Sequence, residues 1–137
     1  MMTARWMLIW VLRAAGVAML GGLIFVFYPF EGMAAIHARL GLGELAYTPL
    51  LSYLIRTLAA LYATVGAILV FLSLDVERYL PLIRFFGLLA ILGGVGVTFL
   101  DALLRLPLFW TLSEGPLTVL LGVALIVLAR RIRSEHP

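Results

Sequence analysis

The sequence contains no cysteine. Disulfide bonds, thiolate metal sites and thiol redox chemistry are therefore excluded, and so are the four-helix membrane thiol oxidoreductases, which need paired cysteines. Lysine is absent too, together with asparagine and glutamine, so all ten residues of the Lys/Arg class are arginine. Because the codons of the missing residues are rich in A, their absence favours an origin in a GC-rich bacterial genome.

Charged residues are also scarce. Only 12% of the 137 residues are charged, whereas 64% are hydrophobic and the mean hydropathy is +1.15. A soluble domain carries about twice that fraction of charged residues. The net charge of +3 is too small and too dispersed to indicate nucleic-acid binding. The composition predicts an integral membrane protein that forms a single membrane domain over residues 1–137.

The apolar residues form four runs that are long enough to cross a bilayer. The sequence predicts membrane spans at about residues 6–28, 49–74, 79–104 and 116–133. The last span is predicted to begin near Pro116, because Ser113 followed by Glu114 and Pro116 is typical of a helix start. The predicted fold is an all-α integral membrane four-helix bundle. The connection over residues 106–116 is then an apolar loop at the level of the lipid headgroups.

The arginines are unevenly distributed between the two sides of this predicted membrane domain. Arg39, Arg56 and Arg105 fall on one side, which we call the outer side. Seven arginines fall on the other: Arg5, Arg13, Arg78, Arg84, Arg130, Arg131 and Arg133. Since an excess of basic residues marks cytoplasmic loops, both termini and the turn between the second and third spans are predicted to be cytoplasmic. We therefore expect a multi-pass protein of the bacterial inner membrane.

A short amphipathic segment follows the first span. Pro29 can open a helix over about residues 30–40, and Gly41 can close it. One face carries an apolar stripe of Phe30, Met33, Ala34, His37 and Leu40, and another face carries Glu31, Ala35 and Arg39. This pattern predicts a helix that lies in the membrane interface on the outer side, with His37 turned inward.

Arg56 lies inside the second predicted span. It shares a helical face with Ala60, Ala63 and Ala67, and small residues mark places where transmembrane helices approach closely. In the third span, Asp101 shares a face with the small residues Gly87, Ala90, Gly94 and Val97, at a similar depth below the outer end. We therefore predict that Arg56 and Asp101 form an ion pair between adjacent antiparallel helices.

Other polar residues accompany this predicted pair on the outer side. Arg105 follows Asp101 by four residues and could share its carboxylate. His37 and Glu114 belong to the same side, so that Arg56, Asp101, Arg105, His37 and Glu114 form a candidate polar cluster, either structural or functional. At the opposite end, we expect Arg13 to lie near Asp75 or Glu77.

None of these residues forms a recognisable catalytic, cofactor-binding or metal-binding motif. His37 lacks partners at metal-ligand spacing, and the only other histidine, His136, lies on the opposite side, which excludes a bis-histidine haem. His37 is more simply explained as a partly buried residue that is hydrogen-bonded to a neighbour. The glycines of "LGGVGV" follow no strand, so they are packing positions and not a nucleotide-binding loop.

The stretch "LYATVGAILVFLSLDVERYLPLI", residues 61–83, resembles the hairpin between the second and third helices of small bacterial DoxX-like membrane proteins. The likeness is carried by the spacing of Tyr62 and Gly66, the charged turn, and the arginine that follows it. The resemblance implies a compact four-helix bundle without established enzymology. It provides no family catalytic residues to transfer to this chain.

Three functions are compatible with such a small membrane protein. The first is a non-catalytic accessory or assembly subunit of a larger membrane complex. The second is a binding or transport protein for a lipophilic molecule, such as a quinone or a lipid, near the outer polar cluster. An enzyme is a distant third. Proton-coupled drug export is disfavoured, because such four-helix carriers need a carboxylate in the first helix and residues 6–28 contain none.

Overall fold

The structure is a computed structural model that describes the backbone of residues 3–135 and the side chains of residues 3–132. It consists of six α-helices: α1 (Ala4–Leu20), α2 (Gly22–Phe27), α3 (Phe30–Arg39), α4 (Pro49–Leu72), α5 (Leu80–Leu103) and α6 (Leu108–Glu135). The described part of the chain contains no strand. The predicted all-α class is confirmed.

Four stretches of helix are long and apolar enough to cross a membrane. They are Ala4–Phe27, which combines α1 and α2, then Pro49–Leu72, Leu80–Leu103 and Leu108–Ile132. The short helix α3 connects the first of these spans to the second, as predicted. The chain is therefore a multi-pass membrane protein whose apolar helix surfaces contact lipid.

The first span is interrupted at Gly21, which the hydropathy pattern does not indicate. The Gly21 N–H lies 3.2 Å from the carbonyls of both Val17 and Ala18, and Ile24 donates to the Gly21 carbonyl, so the helix tightens locally. The next glycine allows a close approach, since a Cβ atom on Gly22 would lie only 2.7 Å from the Ala59 carbonyl oxygen. Gly21 thus interrupts the regular helix, and Gly22 allows the chain to contact α4 closely.

The fourth span begins at Leu108, so the predicted start near Pro116 and the predicted apolar loop over residues 106–116 are wrong. The Pro107 carbonyl accepts hydrogen bonds from Trp110 and Thr111, at 2.9 and 3.2 Å, and so starts the helix. Pro116 lies inside α6. A proline ring normally clashes with the Cβ atom of the preceding helical residue, but here that residue is Gly115, which has none.

The chain divides into two compact units. Unit 1 comprises residues 1–15 and 69–137, and unit 2 comprises residues 16–68. The largest fully buried side chains all belong to unit 1, where they come from the start of α1, the end of α4 and its following turn, α5 and α6: Leu8, Leu12, Leu72, Ser73, Val76, Ile83 and Leu125. The core of unit 1 therefore lies at the end where α4 stops and α5 starts.

Within unit 1, α5 and α6 pack against each other in antiparallel through two pairs of glycines. A Cβ atom on Gly87 would lie 2.8 Å from the Gly122 carbonyl oxygen, and one on Gly94 would lie 2.7 Å from that of Gly115. These distances are too short for any side chain, so the backbones touch directly. The small-residue face of α5 was expected to meet the second span, and it packs against α6.

Unit 2 contains the end of α1, the whole of α2 and α3, and most of α4. Its helices also approach closely, since a Cβ atom on Gly66 would lie 2.6 Å from the Gly16 carbonyl oxygen. In α3, Phe30 and Met33 are buried whereas Ala35 is exposed, which agrees with the predicted amphipathic stripe. Leu40 is an exception, being exposed at the end of the stripe, because α3 ends at Arg39.

Candidate functional site

Arg56 lies two turns inside α4, where an arginine needs hydrogen-bond acceptors. Its Nη1 group donates to the Val26 carbonyl, and its Nη2 group donates to the Tyr28 carbonyl at 3.0 Å. Its Nε group donates to the Ser52 hydroxyl at 3.3 Å. Val26 and Tyr28 lie at the carboxyl end of α2, where carbonyls lack partners within the helix and carry partial negative charge. Arg56 therefore caps α2 from the neighbouring helix.

Asp101 lies in the last turn of α5 and is almost completely buried, with 4% of its surface exposed. Its Oδ2 atom has no hydrogen-bond partner in the described part of the chain. Burying a carboxylate without satisfying it is costly, so this oxygen is an unusual feature of the fold. Arg56 and Asp101 belong to different units, and the ion pair between them stays a prediction.

Arg105 does not continue the helical face of Asp101, because α5 ends at Leu103. Its backbone is left-handed, with φ of 54°. The N–H of Leu106 donates to the Asp101 carbonyl at 3.0 Å, and the N–H of Arg105 donates to the Ala102 carbonyl at 3.2 Å. These two bonds form a Schellman motif, in which the left-handed position is usually glycine. The helical spacing that would let Arg105 share the Asp101 carboxylate is therefore lost.

His37 is half-buried in the last turn of α3. Its Nδ1 atom lies 3.0 Å from the Gly43 carbonyl oxygen, so the tautomer with a proton on Nδ1 donates this hydrogen bond. The bond ties α3 to the segment that leads into α4. This agrees with the prediction of a partly buried histidine bonded to a neighbour. Among the described residues, no three His, Asp or Glu side chains are grouped so that they could hold a metal ion.

Glu114 lies in α6 and is half-buried, and its backbone carbonyl accepts a hydrogen bond from the Thr118 hydroxyl at 2.8 Å. Within the candidate polar cluster, Asp101, Arg105 and Glu114 belong to unit 1, whereas Arg56 and His37 belong to unit 2. Asp101 lies in the last turn of α5 and Arg105 just beyond its end, so the two side chains do not share a helical face. The cluster as a whole stays a prediction.

At the opposite end of unit 1, the structure corrects the expected polar contacts. Glu77 pairs with Arg5, at 3.0 Å between Nε and Oε1, and both side chains are about half exposed. Arg13, which was expected near Asp75 or Glu77, donates from Nε to the buried Ser73 hydroxyl at 3.2 Å. Arg5 lies about two turns closer to the start of α1 and therefore reaches the turn in place of Arg13.

Sequence reasoning missed Arg84, one turn inside α5. Its Nη2 group donates to the Ala129 carbonyl at 2.9 Å, while its Nε group is buried without a partner. Its depth could have been read from its distance to the start of the span. The acceptor of its hydrogen bond could not be predicted, because it is a backbone carbonyl 45 residues away and every residue has such a carbonyl.

Comparison with known proteins adds no relative to this picture: no family model matches the chain, and no curated protein or solved structure is significantly similar to it. The resemblance to DoxX-like proteins stays a prediction. Any functional conclusion must therefore come from the residues and their contacts.

Proposed function

We propose that this multi-pass membrane protein is a non-catalytic accessory or assembly subunit of a larger membrane complex. The observation that carries the proposal is the α2–α4 connection, residues 28–48. It is folded and fixed at several points: Arg56 binds the Tyr28 carbonyl, the rings of Phe30 and Tyr47 contact edge to face with centroids 5.0 Å apart, and His37 meets Gly43.

This fixed connection lies among large exposed aromatic side chains. Phe27, at its start, is 82% exposed, Tyr47 is 64% exposed, and Tyr53 in the first turns of α4 is 62% exposed. Aromatic residues are enriched in protein–protein interfaces, because they bury a large area at a low cost in conformational entropy. A fixed segment that presents Tyr47, with Phe27 and Tyr53 exposed on the helices at its two ends, is suited to docking another membrane subunit.

Several polar side chains inside the spans support a non-catalytic role, because they serve the fold. Arg56 donates to two carbonyls at the end of α2. The hydroxyls of Thr64, Thr98 and Thr118 each donate to the carbonyl four residues earlier in their own helix. Such bonds satisfy polar groups in an apolar surrounding and leave these donors occupied.

The proposal places the protein in a bacterial inner membrane with both termini in the cytoplasm. The distribution of arginines supports this orientation, which puts the α2–α4 connection on the outer side. Reporter fusions after residue 44 and at the carboxyl terminus measure it directly. The first fusion should report an external position and the second a cytoplasmic one, and the reverse result would overturn the assigned direction.

Purification of a tagged chain in mild detergent tests the accessory role. We expect one protein partner in a fixed stoichiometry, lost when Tyr47→Ala removes an exposed aromatic of the connection. Phe99→Ala is the matched control, since Phe99 is 66% exposed on α5 in unit 1. A chain that purifies alone, or a partner lost equally with both substitutions, would contradict a specific docking surface on the connection.

A second candidate function, binding of a lipophilic small molecule, is favoured by the buried Asp101 Oδ2 atom without a partner. A hydroxyl or amide N–H of a ligand could donate a hydrogen bond to it. Solvent extraction of the pure protein followed by mass spectrometry tests this alternative. A molecule present in equal amounts with the protein, and absent from Asp101→Leu, would favour a carrier over an accessory subunit.

A further inference from the structure

Among the side chains that the structure describes, no carboxylate pairs with Arg84. The side chain is half-buried, its one recorded acceptor is the Ala129 carbonyl, and its Nε group is buried without a partner. The two acidic residues of the α4–α5 turn are engaged elsewhere. Asp75 accepts the backbone N–H of Arg78, and Glu77 pairs with Arg5. Partial burial of a guanidinium without a carboxylate partner costs free energy, because the group loses hydration and gains no counter-charge in return.

The surroundings of Arg84 add further positive charge. Its acceptor Ala129 is followed directly by Arg130, which is exposed, and both belong to unit 1. The α5 span starts at Leu80, so Arg84 lies about one turn inside the start of that span. That is roughly 5 Å along the helix axis, a depth from which the long side chain of an arginine reaches the lipid headgroups.

The described residues leave the Arg84 guanidinium open to an anion at the membrane surface. A guanidinium N–H donates a charge-assisted hydrogen bond to a phosphate oxygen, and basic pockets between transmembrane helices bind anionic lipid headgroups. We propose that Arg84, together with Arg130, binds the phosphate group of an anionic phospholipid in the leaflet next to the α4–α5 turn. This inference is independent of the accessory role and needs no partner protein.

Native mass spectrometry of the purified full-length chain tests the site, with phosphatidylglycerol as the anionic probe and phosphatidylcholine as the zwitterionic reference. The wild-type chain should retain phosphatidylglycerol in preference. Arg84→Gln should weaken its retention by about tenfold, because a hydrogen bond to a charged group is lost. Arg130→Gln should weaken it by about fivefold, the effect of one basic residue near the surface.

Arg39→Gln is the matched control, since Arg39 is an exposed arginine of unit 2 at the end of α3. It should leave the preference unchanged. Equal retention of the two lipids by the wild-type chain, or an undiminished preference in Arg84→Gln, would overturn the proposal. If Arg84→Gln does not fold, Arg130→Gln decides: an unchanged preference would overturn the proposal, and a weakened one would support it.

A second measurement separates the lipid from free phosphate, which offers the same oxygens. The melting temperature of the chain should rise in phosphatidylglycerol micelles and stay constant when millimolar inorganic phosphate is added in phosphatidylcholine micelles. An equal rise with inorganic phosphate would show that the site takes a soluble anion, and the assignment to a lipid would be rejected.

Discussion

Units 1 and 2 both hold apolar helices together, and they do so by different means. In unit 1, the backbones of α5 and α6 touch at Gly87 with Gly122 and at Gly94 with Gly115. In unit 2, the close contacts of Gly22 with Ala59 and of Gly66 with Gly16 are supplemented by the Arg56 side chain, which donates from α4 to two carbonyls at the α2 end. In lipid, helices gain little from hydrophobic contact with each other, so each unit needs another source of stability.

The same difference appears in the two arginines within the spans. Arg56 donates three hydrogen bonds, two of them to carbonyls at a helix end that have no partner inside the helix. Arg84 donates one, to a carbonyl in the interior of α6, and its Nε group has none. An arginine that is satisfied by its own protein acts as a structural cap. One that is not satisfied retains hydrogen-bonding capacity for a ligand.

The largest effect is expected from breaking the glycine contact of unit 1. Gly94→Val should destabilise the chain by about 3 kcal/mol, because the new side chain meets backbone atoms of α6 that cannot move aside. Gly93→Val is the control, since a Cβ atom there meets nothing within 4 Å. Unfolding by SDS in mixed micelles measures both. Similar stabilities for Gly93→Val and Gly94→Val would show that unit 1 does not depend on direct backbone contact.

A smaller effect is expected from removing the cap of unit 2. Arg56→Leu should destabilise the chain by about 2 kcal/mol, because the α2 carbonyls lose their donors in a partly buried place. Arg39→Leu, which removes an exposed arginine of the same unit, should change the free energy of unfolding by less than about 0.5 kcal/mol. If Arg56→Leu proved as mild as Arg39→Leu, the hydrogen bonds to Val26 and Tyr28 would not stabilise unit 2.

The predicted pair of Arg56 and Asp101 can be tested by a double-mutant cycle. Removing one charge of a buried pair leaves the other unpaired, so Arg56→Leu and Asp101→Leu together should cost about 1–2 kcal/mol less than the sum of the single substitutions. The cycle should be repeated with Arg105→Ala, in case Arg105 replaces Arg56. Additive effects in both backgrounds would assign Arg56 to its carbonyls alone and leave Asp101 without an arginine.

Features with a strong periodic or compositional signal could be predicted from this sequence. The four spans follow from their long apolar runs, and α3 follows from Pro29, Gly41 and the stripe between them. The start of α6 could not be predicted, because Pro116 also fits the first turn of a helix. Inside α6 the proline is tolerated because the preceding residue, Gly115, has no Cβ atom to clash with the proline ring.

The partners of Arg56 and Arg84 could not be predicted for a different reason. The positive charge of an arginine suggests pairing with a carboxylate, and for this reason the sequence predicts an ion pair between Arg56 and Asp101. Both arginines donate to backbone carbonyls, which every residue possesses and no residue type identifies. The left-handed backbone of Arg105 was equally hidden, because arginine rarely adopts it.

The smallest effect on stability is expected at the carboxyl ends of α3 and α5, which have the same backbone motif. The helix α3 ends in a Schellman motif with Gly41 at the left-handed position, where φ is 72°, and α5 ends in the same motif with Arg105. A residue with a Cβ atom is less stable than glycine in this left-handed conformation by about 1 kcal/mol. Substitution by glycine recovers only part of this free energy, because glycine also increases the conformational entropy of the unfolded chain. Arg105→Gly should therefore stabilise the chain by about 0.5 kcal/mol, and Gly41→Ala should destabilise it by about 1 kcal/mol.

Arg105→Ala separates the backbone effect from the loss of charge, because it removes the guanidinium and retains the Cβ atom. It should give no gain in stability, so that only the glycine variant exceeds the wild-type chain in SDS titration. If glycine and alanine stabilise α5 equally, the cost at Arg105 is electrostatic and not conformational. If Arg105→Gly leaves stability unchanged or lowers it, the Arg105 side chain makes a compensating contribution at the end of α5, beside the buried Asp101 carboxylate.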